Sequence, residues 1–118
     1  MSQHITWKPH KYHARPVVVD GEWFASQREA RRWSELLLLK RAGEVRLILR
    51  QVGFQIAPPV RDDQGALTCR AIKYLADFLV HWSDGRLTIE DAKGMRTPMY
   101  RAKKRRVEAI YGIEITEV

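Results

Sequence analysis

The sequence predicts a single domain of the α/β (α+β) class, with a central mixed β-sheet flanked by helices. Two segments, 27–42 and 98–111, carry helical spacing with a cap at each end. Alternating apolar segments lie at 44–56, 67–82 and 87–93, and a short one, IEITEV, closes the chain. The order is therefore hairpin, helix, strands, helix, strand, without internal repeats, and 118 residues is about one domain.

The chain begins with residues 1–16, which hold Pro9, Pro16 and three histidines and show no periodicity. They read as a basic N-terminal arm ahead of a domain spanning 17–118. Such an arm is either a disordered terminus or a contact to phosphate, with Lys11 among its cations. VVVDGEWF at 17–24 then forms a short hairpin, with Asp20-Gly21 as the type I′ turn signal. In the first helix Ser26 caps the amide of Glu29, and Glu29 reaches back in a capping box. Gly43 ends that helix.

Residues 44–56 alternate as a strand, with Gly53 marking a bulge or a close backbone approach, until Pro58-Pro59 stops it. RDDQGA at 61–66 is a polar turn, and 67–82 is one long strand or two with a bend. Thr97 caps the last helix and Pro98 sits at its first position, where a missing N–H costs nothing. Val107 and Ile110 define its buried stripe, which Lys103 and Tyr100 continue toward the N-terminus.

The net charge is +7, from 21 basic and 14 acidic residues. A small domain this basic suits a polyanionic partner. Positive residues gather in the arm, on the first helix (Arg28, Arg31, Arg32) and near the C-terminus (Arg101, Lys103, Lys104, Arg105, Arg106). Acids set among them repel a polyanion unless a cation bridges the two. Cys69 is the only cysteine, so an internal disulfide and a cysteine zinc site are excluded. The histidines lack H-x-x-x-H spacing. No apolar run approaches a membrane span, and the start of the chain has no signal-peptide core. A cytoplasmic protein without a membrane partner is the expectation.

The stretch YLADFLVHWSDGRLTIEDAKG at 74–94 carries the chemistry. A two-residue loop at Asp84-Gly85 would set Asp77 and Asp91 on opposite faces of the hairpin. A three-residue loop, Ser83-Asp84-Gly85, pairs Trp82 with Arg86 and sets Asp77 opposite Asp91. The second register gathers Leu75, Leu79, Leu87 and Ile89 on the face of the two acids, and Phe78, Val80, Trp82, Thr88 and Glu90 on the other. A one-residue slip would exchange these faces, so the second register is expected, with the acids about 5 Å apart at Cβ.

Two carboxylates opposed on an apolar face need an offset, which Lys93 and a divalent cation supply. Oxygen ligands without thiolate or imidazole suit Mg²⁺, with Mn²⁺ as substitute. Asp77 and Asp91 are the expected ligands, with the backbone carbonyl of Ala92 as a further one and Glu29 acting through water. Lys93 orients the attacking water or neutralises the phosphate. Gln51, Tyr100, Lys103, Lys104, Arg32 and Lys11 are the candidate DNA contacts. Glu90, on the opposite face, reads as a structural acid, and His81 as an ordinary strand residue.

Asp77 followed by Asp91-Ala92-Lys93 resembles the core motif of PD-(D/E)xK nucleases, with Glu29 where that superfamily often has a first-helix acid. Ala76 stands in place of the motif's proline. The chain is also similar to a family of small phage- and prophage-encoded proteins placed in this superfamily. The similarity runs through Lys11-Tyr12, Phe24-Ala25-Ser26, Glu29-Ala30, Gln51, Ala76-Asp77-Phe78, Glu90–Gly94, Thr97, Tyr100 and Lys103. Val52 follows Gln51 where proline is expected.

The resemblance implies a restriction-endonuclease-like domain and Mg²⁺-dependent hydrolysis of DNA phosphodiesters in a bacterial host, with Glu29, Asp77, Asp91 and Lys93 as the catalytic set. The substrate is double-stranded or branched DNA. A homodimer suits a double-strand cut. Two alternatives stand beside this expectation: a non-catalytic DNA-binding accessory of phage replication or packaging, and a nuclease subunit active only within a phage protein complex.

Overall fold

A computed structural model describes residues 15–118. The expected arm at 1–16, and Lys11 with it, lies almost wholly outside the described residues. The elements are β1 (Val17–Val19), β2 (Glu22–Phe24), α1 (Gln27–Arg41), β3 (Val45–Ala57), β4 (Val60–Arg61), β5 (Leu67–Cys69), β6 (Ile72–Trp82), β7 (Leu87–Asp91), α2 (Pro98–Tyr111) and β8 (Ile115–Glu117). A four-stranded sheet in the order β3-β6-β7-β8 forms the centre. Its first three strands are antiparallel, and β8 joins β7 in parallel, so the sheet is mixed. Among the described residues no helix is long and apolar enough to cross a membrane.

Local signals place most boundaries. Asp20 and Gly21 both have positive φ, 51° and 79°, as a two-residue type I′ turn requires. The Ser26 hydroxyl accepts the Glu29 amide at 3.1 Å. Glu29 does not close the capping box on Ser26; its Oε2 accepts the amide of Ala25, one residue earlier, at 3.1 Å. Thr97 caps α2 by accepting the Tyr100 amide at 3.1 Å, and Gly112 ends the helix with φ 63°. The β6–β7 turn is the expected three-residue loop. The Trp82 amide donates to the Arg86 carbonyl at 2.9 Å, and Gly85 has φ 94°.

The register therefore matches the expectation, but the apolar face of the acids is covered only in part: Ile89 is buried and Leu79 packs beside it. Leu75 and Leu87, expected on the same apolar face, are 57% and 65% exposed. The buried row of β6 is Tyr74, Ala76, Phe78 and Val80. Phe78 and Val80 pack with Leu36 of α1 and Val45, whereas Tyr74 and Ala76 pack with Val107 of α2, Ile89 and Ile115. The same row thus serves two cores, changing from the α1 layer to the α2 layer at Asp77.

β3 changes with it. Ile48 belongs to the α1 core, and Phe54 and Ile56 to the α2 core. Between them Gln51 has φ 54°, a left-handed conformation uncommon outside glycine. The irregularities of β3 lie not at Gly53 but at Gln51 and at the register shifts between Val45 and Leu47 and between Gln55 and Ala57, and a Cβ on Gly53 would meet only ordinary contact, 3.7 Å from Leu75. Ile110 is 53% exposed and leaves Val107 as the buried residue of α2. Residues 61–70 are exposed throughout, so β4 and β5 form a two-stranded ribbon on the surface.

Candidate active site

Three elements deliver three acids to the place where β3 and β6 change layers. Asp77 lies in the middle of β6, Asp91 ends β7, and Glu29 stands in the first turn of α1. The β6–β7 ladder runs as far as Phe78 opposite Glu90. At the next opposed pair the side chains replace it. The Asp77 amide donates to Asp91 Oδ1 at 3.1 Å, and the Ala92 amide donates to Asp77 Oδ2 at 2.8 Å. Each carboxylate thus fixes the other's strand.

Gln51, between the residues paired with Phe78 and Ala76, ties in the third acid. Its amide nitrogen donates to Glu29 Oε1 at 3.0 Å and approaches Asp77 Oδ1 at 3.4 Å. Arg50 Nη2 lies 3.5 Å from Glu29 Oε1, and its guanidinium sits 3.9 Å from the centre of the Phe24 ring. The sequence reading did not single out Arg50. Its even position on β3 was the available signal, since that parity faces α1.

Asp91 is fully buried, Glu29 nearly so, and Asp77 half-buried. Burial pushes the Asp91 carboxyl up to about 6, against the opposing charge of Lys93. Burial likewise raises Glu29, aided by the charge of Asp77, and raises Asp77 against the Ala92 amide and Lys93. Asp91 Oδ2 is buried and has no hydrogen-bond partner among the described residues. A buried carboxylate oxygen left unpartnered is costly, and the cost ends when the group takes up a proton or a cation.

A stability measurement checks this. Between pH 4 and 6 the folded chain keeps a proton on Asp91 that the unfolded chain, with its carboxyl near 3.8, releases. Stability of the metal-free protein should therefore fall as pH rises through that window, by on the order of 2–3 kcal/mol. Urea midpoints measured in EDTA should show the fall, and it should shrink in Asp91→Asn. A wild-type midpoint that does not fall over this range would contradict the strained Asp91.

The other candidates are distributed unevenly. Lys93 Nζ stands 4.9 Å from the centre of the Tyr100 ring. The Tyr100 hydroxyl donates to Glu117 Oε2 at 3.3 Å, and Lys104 Nζ lies 3.6 Å from Glu117 Oε1. Lys103 Nζ donates to the Lys73 carbonyl at 3.5 Å. Arg32 is not brought to the site. It donates from Nε and Nη2 to the two oxygens of buried Glu90, at 2.7 and 2.8 Å. The expected DNA contact is thus occupied as an ion pair, because Glu90 faces α1 as its parity requires. Ala92 contributes its N–H to Asp77.

A family model described as DUF1064, protein of unknown function, matches residues 9–116. The chain belongs to the DUF1064 family. No curated protein and no solved structure matches it. In this DUF1064 chain the structure brings together Glu29, Gln51, Asp77, Asp91 and the Ala92 amide, with Lys93 beside them. Among the described residues no group of three His, Cys, Asp or Glu side chains is placed to hold a metal ion by itself. The unpartnered Asp91 oxygen beside Asp77 nonetheless fits a hard cation that takes the rest of its shell from water and substrate, as Mg²⁺ does.

Proposed function

We propose that this protein is a divalent-metal-dependent endonuclease that hydrolyses DNA phosphodiesters. The observation that carries the reading is the unpartnered, buried Oδ2 of Asp91 next to Asp77, in a chain of net charge +7. A neutral core has no use for that oxygen, whereas a cation site needs it.

Asp77 and Asp91 would hold Mg²⁺ or Mn²⁺, and Glu29, on Gln51, would orient water at its edge. When bound, the cation supplies Lewis-acid polarisation of the phosphate and acidifies water. Lys93, whose charge acts on both Asp77 and Asp91, would offset the charge gathering on the phosphate. Gln51 bridges Glu29 and Asp77 by donating to both, which offsets part of the repulsion between the two carboxylates. The basic surface of α2, with Arg101, Arg105 and Arg106 exposed, supplies the attraction for the DNA backbone.

Incubation with supercoiled plasmid, branched DNA and single-stranded DNA tests the reading. Cleavage of at least one substrate is expected with Mg²⁺ or Mn²⁺, none with EDTA, and none by Asp91→Ala. No metal-dependent cleavage of any of them would overturn enzymatic activity of the isolated chain.

A second reading, a nuclease subunit working within a complex, draws on a separate observation. Leu47 and Leu87 flank His81 across three strands, and Leu49 follows on the same face; all three leucines are exposed. Sedimentation as a monomer, with full cleavage activity retained in Leu87→Lys, would remove this second reading.

A further inference from the structure

A pocket of about 300 Å³ opens between the first half of β6 and the start of α2. Three lysines line it: Lys73 from β6, Lys103 from α2, and Lys93, two residues past Asp91. No carboxylate lines it among the described residues. Among those residues, too, none of the three lysines takes part in a salt bridge. Ammonium groups gathered around one cavity repel one another, and an anion relieves the repulsion. The walls are apolar. Tyr100 lies beneath Lys93, with Tyr74 behind it at 6.2 Å between ring centres. Leu75 and Met99 are 57% and 69% exposed at the rim.

A lysine-rimmed, aromatic-walled cavity of this size matches a nucleotide better than a bare anion, which would have no use for the walls. Its volume is at the lower end for small-molecule pockets, so one nucleotide is the fitting size. Aromatic and aliphatic surfaces accept any base, because every base has a π-face.

We propose that this pocket is a mononucleotide subsite, which takes the base of one DNA nucleotide against Leu75, Met99 and the edge of Tyr100 and its phosphate on Lys73 and Lys103. That the nucleotide is the neighbour of the scissile phosphate rests on the nuclease reading, through Lys93, which both the pocket and the acids share. Lys73 is the residue this adds. It lies four positions before Asp77 on the same strand, so the strand that supplies the acid also sets the pocket's distance from it.

Calorimetric titration in EDTA tests the subsite without metal and without cleavage. The probes are a deoxynucleoside 5′-monophosphate, the corresponding deoxynucleoside, and inorganic phosphate. The monophosphate should bind at least about tenfold more tightly than either of the others, since only it engages both walls and lysines. Lys73→Ala with Lys103→Ala should weaken it by at least about tenfold, and arginine at both positions should retain most of the affinity. Lys40→Ala, on the exposed far end of α1, should change nothing, and circular dichroism establishes that each variant is folded. Equal affinity for phosphate and monophosphate would overturn the base-holding pocket. Unchanged affinity in the double alanine variant would overturn its location, and no binding of the monophosphate would overturn the subsite altogether. Binding by a chain that cuts no DNA supports the subsite and removes only the nuclease reading. Cleavage by a chain that binds no monophosphate does the reverse.

Discussion

Replacing Asp91 by asparagine is expected to lower metal-dependent DNA cleavage by more than about a hundredfold, the upper end for losing a group that only orients a metal ligand. The substitution keeps the shape of the side chain. Asparagine Oδ1 can still accept the Asp77 amide, now at 3.1 Å, so the bracing of β6 on β7 survives. What changes is Oδ2, the buried oxygen without a partner, which becomes an NH₂ group. A donor there cannot ligate a cation, and the negative charge is gone. Initial rates of plasmid nicking with Mg²⁺ measure the loss. Because burial holds the wild-type carboxyl up at about 6, ionisation at neutral pH strains the fold, so the metal-free variant should unfold at an equal or higher urea concentration at pH 7. A wild-type cleavage rate in Asp91→Asn would mean that Asp91 ligates nothing.

Arg32→Ala is expected to destabilise the fold by about 3–5 kcal/mol, the range for stripping a buried charge of its partner. Glu90 is 2% exposed and receives two guanidinium N–H groups from Arg32. Without them its carboxylate stays in the α1 layer with the Thr88 hydroxyl, at 3.4 Å, as its one remaining hydrogen-bond donor among the described residues. A domain of this size has roughly 5–15 kcal/mol to lose in all, so the variant should approach global unfolding on mild heating. Replacing both partners with apolar residues, Arg32→Met with Glu90→Leu, should recover most of the loss. Thermal and urea unfolding of the single and double variants provide the check, and a loss below about 1 kcal/mol would mean that Glu90 is solvated. The same variants separate the two roles considered for Arg32. A phosphate contact would lower the salt dependence of DNA binding by about one counterion, whereas a structural ion pair leaves it unchanged.

The hairpin at 74–94 was the most legible part of the chain. Its register followed from alternation and turn chemistry, both of which act over a few residues. That Leu75 and Leu87 stay exposed while Leu79 and Ile89 of the same face are packed was not legible, for the complementary reason. Alternation says which residues share a face, but not which face a helix will cover. Here α1 and α2 lie on different faces, and the row from Tyr74 to Val80 passes from one to the other at Asp77. Nothing in the spacing of β6 announces that change. Its partner in β3 is a glutamine in a left-handed conformation, at a position where sequence rules look for glycine. Glu29 was legible twice, as a helix-capping residue and as a site candidate, and in the structure its two oxygens take different partners: Oε2 the Ala25 amide, one residue before the expected Ser26, and Oε1 Gln51.

By itself, the sequence determined the first hairpin, both helices with their N-caps, the terminal strand, the three-residue turn and the opposition of Asp77 to Asp91, but not the β4–β5 ribbon, which makes five strands between the helices where three or four were expected. Each of these depends on backbone preferences and side-chain parity within a short stretch. Only the tertiary structure decided that Gln51 bridges Glu29 to Asp77, that Arg32 belongs to Glu90 rather than to a free basic face, and that Lys73 joins Lys93 and Lys103 around one pocket. The hydrogen bonds among them join residues 22 to 58 positions apart. They depend on where each helix settles over the sheet, which packing of the two cores sets and no local pattern encodes.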